Sequence, residues 1–499
     1  MLFIGIDSGT QSTKAVVLDF NTGTIIAHAS EAYGLIGGLP PGHLEQEPST
    51  WVEAAKGCLL KCIAQLGERR HEIRGIGVSG QQHGCVVLDE KDQSVRPAKL
   101  WCDTSTAPQC EAFSQHFGGT AGLVELAGNA ILPGYTVPKL LWLKQNEPQN
   151  FARIRTVLLP HDYLNFWLTG VKRMEFGDAS GTGLLDIRKR EWSQTLANFV
   201  DPRVLGMLPP LGSSLEPHGT ISAAIAEELG LPKDVLVSAG GGDNMMGAIG
   251  TGNISDGLIT ASLGTSGTLY GASDKPVADP AGEIAGFCDS ADHWMPLVCT
   301  MNVTVVTEAI RKLFGWELSD LENSMSNSEP GAGGLLFLPY LNGERTPNLP
   351  NGSGVIHGIR TDNLTPANLA RAAVEGATLG LAYGLKRFRE LGMNPREVRL
   401  TGGGSKSPAW RQLVADAFNA EVVCLSTAEG AGLGSAIQAA YTWLKSQAKE
   451  ESYTSLCARF AQVDESTRRT PDAKNAAFYT NQLERLTHLT KRLKEADWL

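Results

Sequence analysis

Two turns of nearly the same recipe, Asp7-Ser8-Gly9-Thr10-Gln11-Ser12-Thr13 and Ser262-Leu263-Gly264-Thr265-Ser266-Gly267, lie about 250 residues apart, each between two apolar runs. An apolar run, a break rich in glycine and hydroxyls, and a second run predict a strand, a tight turn and a returning strand. Their recurrence predicts a duplicated domain. A chain of 499 residues also exceeds the ~250–300 residues at which a single core stops growing. The expected division falls near Ala248–Asp256, giving an N-terminal domain of residues 1–247 and a C-terminal domain of residues 248–499. Two like domains, each opening on such a hairpin, would face each other across a cleft, where ligands tend to bind.

The elements between the turns predict an α/β fold. LFIGIDSGTQSTKAVVLDFNTGTIIAHASEAY reads as three strands with a turn at Asn21–Gly23, an antiparallel meander. TWVEAAKGCLLKCIAQLG has helical apolar spacing and opens on Pro48-Ser49-Thr50, and IRGIGVSGQQHGCVVLD follows as strand, turn, strand. Strands that meander and then alternate with helices predict mixed sheets flanked by helices. Further on, Thr365 as cap and Pro366 in the first turn open a long helix through about Leu391. Its Gly376, Gly380 and Gly384 stand four apart, which predicts a seam where another backbone comes close. The tail from Asn475 to Leu499 places Tyr479, Leu483, Leu486, Leu489 and Leu493 on one face, as a docking helix would.

Five stretches could carry chemistry. In the first hairpin turn, Gly9, Thr10, Ser12 and Thr13 bring backbone amides and hydroxyls together, a setting for anionic oxygens. Asp7 would repel phosphates unless a cation such as Mg²⁺ stood between them. Lys14 follows and reads either as part of that turn or as strand. The second turn, with Gly264, Thr265 and Ser266, repeats the recipe without the acid. A third cluster, Gly402, Gly403 and Gly404, ends a strand and leads to Ser407-Pro408, the start of a helix through Phe418. Bare backbone beside a helix N-terminus can accept a nucleotide, with Glu429-Gly430-Ala431-Gly432 as the other wall. The fourth is VSAGGGDNMMGAIGTG, where Asp243 is the single charge among small residues, open to reading as a helix N-cap or as a reactive carboxylate. Gln81-Gln82-His83-Gly84 offers donors and acceptors suited to a polyhydroxyl ligand, and His83 could act as a base or simply be solvated.

Composition narrows the partners. A net charge of −10, a pI near 5.6 and the lack of any Lys/Arg block argue against nucleic acid and membrane surfaces. Nine cysteines without a CxxC pair fit a reducing compartment, and MLFIGIDSGT has no basic n-region, so a cytoplasmic protein is expected. A homodimer is the default oligomer. Neither GxxxxGK[ST] nor GxGxxG occurs.

The order DSGT, GQQHG, GGGDN, LGTSG, LTGGG, with GYTVPKLLWLKQN (134–146) and GVIHGIRTDNLTPANLARAAVE (354–375), resembles the FGGY carbohydrate kinases over nearly the whole chain. The resemblance implies two ribonuclease-H-like domains of the actin/hexokinase type with the active-site cleft between them, and ATP with Mg²⁺. It also implies phosphorylation of a ketose at its terminal hydroxyl, D-xylulose foremost, with sedoheptulose, ribulose, L-xylulose or a polyol left open. A nucleotide-gated binding protein of actin-like architecture is the alternative outside catalysis. By the same resemblance Asp243 is the catalytic base, Asp7 and Asp243 attend the metal, and Gly9–Thr13 with Gly264–Ser266 contact the β- and γ-phosphates. Gly402–Gly404 and Ser407 border the nucleotide, while Gln82, His83, Trp101, Asp103 and Asp243 hold the sugar. Gly343-Glu344-Arg345-Thr346-Pro347 reads as a structural ion-pair loop.

Overall fold

Apolar runs separated by short turns open the chain, and they produce the expected meander: β1 (Leu2–Ser8), β2 (Ser12–Asp19) and β3 (Thr24–Ala32) pair antiparallel in sequence. The computed structural model describes residues 1–427 and 430–499, so Glu429 of the expected nucleotide wall lies outside the described residues. Next comes α1 (Pro48–Leu66), which buries Trp51, Ala55, Cys58, Leu59 and Cys62 on the meander. Pro48 is its first residue and Glu47 its N-cap, so neither Ser49 nor Thr50 caps it. Proline suits that position because its missing N–H needs no acceptor there. β4 (Ile73–Gly80) runs parallel to β1. After α2 (Thr136–Asn146), the strands β5 (Pro217–Thr220) and β6 (Leu236–Ser238) complete the sheet in the order β5-β6-β4-β1-β2-β3. The pair Gly241–Gly242 lies parallel beside Ser79–Gly80 at the end of β4, and α3 (Asp243–Gly250) starts at the next residue.

The second half repeats this plan. β7 (Leu258–Leu263) and β8 (Gly267–Tyr270) form the second hairpin, and β9 (Trp294–Thr300) pairs antiparallel with β8. After α4 (Pro366–Glu390) come β10 (Glu397–Thr401), α5 (Pro408–Phe418), β11 (Glu421–Leu425), α6 (Gly430–Ser446), β12 (Val463–Arg469) and α7 (Ala473–Glu495). Six strands of this seven-stranded sheet, in the order β12-β11-β10-β7-β8-β9, follow the order of the first sheet, including the parallel contacts of β10 with β7 and β11 and the antiparallel contact of β12.

Thr365 caps α4 as expected, its hydroxyl accepting from Asn368 N. A Cβ on Gly376 would overlap the backbone carbonyl of Phe337, one on Gly384 would press on the Val298 side chain, and one on Gly380 would make only an ordinary contact with Pro339, so the close backbone approach that the spacing implied occurs at Gly376. On α7 the buried face is Ala476, Tyr479, Gln482, Leu483, Leu486 and Thr490, while Leu489 and Leu493 are only partly covered.

Two compact units result. One comprises Met1–Ile254, Ser273–Met295 and Glu429–Gln462, the other Ser255–Ala272, Pro296–Ala428 and Val463–Leu499. A division at residue 247 would leave every later residue in the second unit, whereas two later segments pack with the first. The reason for the return of α6 is its glycines. A Cβ on Gly5 of β1 would overlap the Gly432 carbonyl, and one on Gly434 would overlap the Met246 carbonyl, so α6 rests backbone to backbone on β1 and α3.

Candidate active site

In the first unit the expected residues gather at the carboxyl ends of parallel strands, the place where open α/β sheets bind ligands. Registers place Asp7 beside Ser79 and Ser79 beside Gly241, and then Ser8 beside Gly80 and Gly80 beside Gly242. Three chain segments therefore end in step, and Asp7, Gln81–His83 and Asp243 emerge together. The spacing has a local cause, because side chains are omitted where the segments crowd. A Cβ on Gly242 would lie 2.6 Å from Gln82 Cγ, and one on Gly80 2.7 Å from the His161 amide nitrogen.

Hydrogen bonds tie these ends together. Ser79 Oγ donates to Asp7 Oδ1 (3.0 Å), Gln81 N donates to Ser8 O (2.9 Å), and Thr10 Oγ1 donates to Gln81 Oε1 (3.1 Å). Trp101 Nε1 donates to Thr10 Oγ1 (2.9 Å), which brings Trp101 to the same wall. The first hairpin turn closes through Gly9 N to Ser12 O (3.0 Å). Thr13, expected to face phosphate, is fully buried, its hydroxyl donating to Ser8 Oγ at 3.1 Å, so it braces the turn from within. Lys14 stands across from Asp7 in the β1–β2 register, with its side chain exposed.

Asp243 does not cap α3. Gly242 holds the N-cap position, and Asp243 is the first helical residue, half-buried. Its Oδ1 accepts from Asn244 N (2.8 Å) and Asn244 Nδ2 (3.0 Å), and Asn244 Nδ2 also donates to Gln82 Oε1 (2.8 Å). Burial, with the negative charges of Asp7 and Asp178, pushes the Asp243 carboxyl up to about 7. A carboxylate with that proton affinity matches the requirement for a general base near neutral pH.

Behind this wall lies a buried charge cluster that sequence reasoning missed. His161 Nδ1 lies 2.8 Å from Asp178 Oδ2, and His161 Nε2 lies 3.0 Å from Asp162 Oδ1. Burial alone would lower the imidazole pKa, but the two carboxylates raise it well above the usual range. Burial lifts Glu175 to about 7, with its carboxylate accepting from Gly177 N and Ser214 Oγ. LLPHDYL and DASGTGLLD contain His161, Asp162 and Asp178, but nothing in their local spacing announces that His161 and Asp178 touch.

Asp103 sits elsewhere than expected. It is fully buried, its Oδ1 accepting from Ser105 N (3.0 Å) and Ser105 Oγ (2.5 Å), its Oδ2 from Leu44 N and Lys99 Nζ (both 3.0 Å). With both oxygens occupied it can support the Trp101 segment but cannot itself reach a ligand. Among the described residues the one cluster of metal-ligand type is His43, Glu45 and Asp103. The Lys99 ammonium lies within 3.2 Å of all three, so a lysine already supplies the positive charge there. In the loop read as an ion-pair loop, Glu344 accepts from the amides of Met301 (2.6 Å) and Arg345 (2.8 Å) and from Asn302 Nδ2 (3.0 Å).

The second unit holds the remaining residues. Gly264, Thr265 and Ser266 form the β7–β8 turn, with Thr265 exposed, and Thr304 N donates to Gly264 O (2.9 Å). Gly402, at φ +83°, packs its backbone on Leu263, where a Cβ would meet the Leu263 carbonyl at 2.7 Å; Gly403 is open on its free side. The two glycine turns thus adjoin. Ser407 caps α5, accepting from Trp410 N (3.0 Å), and its hydroxyl also bonds Glu322, which accepts from Ala409 N (3.0 Å). The first amides of α5 are therefore satisfied by protein, and Ser407 shapes the turn.

Residues 2–250 match the N-terminal domain model, and residues 259–443 the C-terminal domain model, of the FGGY family of carbohydrate kinases. The chain belongs to this family of ATP-dependent sugar kinases. Among its relatives, the xylulose kinase of Haemophilus influenzae is 44% identical over 497 residues, covering 98% of this chain and 100% of that one. The xylulose kinase of Escherichia coli is 32% identical and covers 99% of both. A solved structure described as a xyloylose kinase from Brucella ovis superposes with a TM-score of 0.92 at 29% identity, covering 99% of this chain and all of its own. The xylulose kinase from Bifidobacterium adolescentis gives 0.81 at 30% identity, covering 96% and 99%. No helix among the described residues is long and apolar enough to cross a membrane, and all nine cysteines are free thiols.

Proposed function

We propose that this protein transfers the γ-phosphoryl group of ATP to the terminal hydroxyl of D-xylulose, giving D-xylulose 5-phosphate. The observation that carries the mechanism is Asp243, a carboxylate raised to about 7 at the ends of parallel strands. Asn244 holds one of its oxygens, which leaves the other to accept the sugar's proton. Gln82, His83 and Trp101 supply the polar and aromatic wall that positions the sugar. Phosphoryl transfer depends mainly on positioning and charge neutralisation, so the turns Gly9–Ser12, Gly264–Ser266 and Gly402–Gly404 would hold ATP through backbone amides and hydroxyls.

The residues present fit Mg²⁺. Asp7 raises the proton affinity of Asp243, a like-charge repulsion that a divalent cation would relieve, and carboxylate oxygens are its preferred protein ligands. When bound, the ion would neutralise phosphate charge as it shifts in the transition state, with Asp7 and Asp243 as its protein partners.

Supporting the sugar assignment are the relatives named xylulose kinase, two of them matching nearly the full chain. The test is ADP release by pure protein with D-xylulose, L-xylulose, D-ribulose, sedoheptulose, glycerol and gluconate. D-xylulose should give the highest kcat/KM; a higher value for another compound would reassign the substrate, and no release with any of them would refute the kinase reading.

A further inference from the structure

The stretch GYTVPKLLWLKQN contains a buried cation that neither the base nor the phosphate turns employ. Lys139, in α2, is fully buried. No carboxylate of the described residues lies within ion-pair distance, and burial draws the ammonium down to about 7. Such a group is expensive to bury unless its hydrogen bonds are used. Lys139 Nζ donates to two carbonyls, His83 O and Gly134 O, each at 2.6 Å. One helical turn earlier, on the same face of α2, Thr136 Oγ1 donates to the same His83 carbonyl at 3.1 Å.

The acceptor is an unusual residue. His83 has φ +64°, a left-handed conformation that costs a non-glycine residue energy and persists only where the surroundings over-determine it. Its ring lies against Tyr135, with centroids 4.8 Å apart, and Tyr135 is the residue just before α2. Lys139 and Thr136 thus hold the His83 peptide while Tyr135 supports the imidazole, so one helix start sets both ends of the residue. Gly134 joins the clamp to the Trp101 wall, since a Cβ there would overlap the Trp101 carbonyl.

We infer that Lys139 is a positioning residue for the sugar: by donating to the His83 and Gly134 carbonyls it fixes the left-handed His83 and aligns the His83 and Trp101 walls of the pocket. This rests on the reading of His83 as a sugar contact, and the test separates the two. Lys139→Met keeps the length of the side chain and removes both donors; Thr136→Val removes the weaker partner with little change of volume.

Lys139→Met should raise KM for D-xylulose about tenfold or more, and Thr136→Val should raise it about threefold, since each removes a bond to a buried carbonyl. KM for ATP and sugar-free ATP hydrolysis should stay within about twofold of wild type in both variants. Thr136→Val decides alone if Lys139→Met does not fold. An unchanged sugar KM in the folded variants, or sugar and ATP KM rising together, would overturn the inference. His83→Ala serves as the control: an unchanged sugar KM there would overturn the pocket reading itself, whereas a raised KM in His83→Ala with none in the α2 variants overturns the role of Lys139 alone.

Discussion

The two hairpins share one scaffold and differ in charge. β1–β2 and β7–β8 occupy the same place in sheets of the same strand order, each flanked by a parallel strand, β4 or β10. Asp7, one residue from the end of β1, corresponds to Ser262, one residue from the end of β7. Past β6 the chain enters α3 through Asp243, so the first turn of that helix carries a carboxylate. Duplication thus supplied two cradles of amides and hydroxyls, and of the corresponding residues Asp7 and Ser262 only the first is a carboxylate. The lesson is that the fold sets where a ligand can lie, while a few charged substitutions decide which copy performs proton and metal chemistry.

This contrast can be broken most directly at Asp7. Asp7→Asn should raise the Mg²⁺ needed for half-maximal turnover about 10–100-fold, the loss typical when a metal's carboxylate support is removed. An Mg²⁺ titration checks this, and an unchanged midpoint would take Asp7 off the metal. The pH profile comes next in size. Asp243 must be ionised to accept a proton, and with its pKa near 7 in the metal-free protein kcat/KM at limiting Mg²⁺ should fall about tenfold per pH unit below that value and level off above it. A flat profile between pH 5 and 7 would contradict the assignment.

A smaller effect concerns stability. Between the ordinary carboxylate range and about 7, folded Asp243 keeps a proton that the unfolded chain releases, so folding weakens as pH rises through that window. Asp243→Asn lacks this burden. Its melting temperature should match wild type near pH 4 and exceed it by a few degrees at pH 8; a variant less stable than wild type at pH 8 would show that the carboxylate is not strained. Smallest of all, Ser262→Ala should leave kcat within about twofold, because a hydroxyl there replaces no charge. A loss as large as that of Asp7→Asn would erase the contrast between the copies.

Much of the architecture was legible because its signals are local. The meander, the Thr365 cap, the Ser407-Pro408 start of α5 and both hydroxyl-rich turns follow from neighbours in sequence. The glycine stripe of α4 also signalled the close backbone approach at Gly376. What could not be read was long-range. Nothing local indicates that α6 returns to the first unit, because the contacts responsible join Gly432 to Gly5 and Gly434 to Met246. Asp103 reads as a sugar contact in the sequence, although Leu44, 59 residues away, donates to it in the fold. Lys139 stood in plain view inside a family-diagnostic stretch, but its acceptor lies 56 residues away.

The central claim is that Asp243 takes the sugar's proton, and the most direct test measures Asp243→Ala twice, once for nucleotide affinity and once for turnover with D-xylulose. The expected result is ATP affinity within about threefold of wild type and a turnover lowered by about 10²–10⁴-fold, the range for a lost general base. Turnover within a few-fold of wild type in a variant that still binds ATP would contradict it.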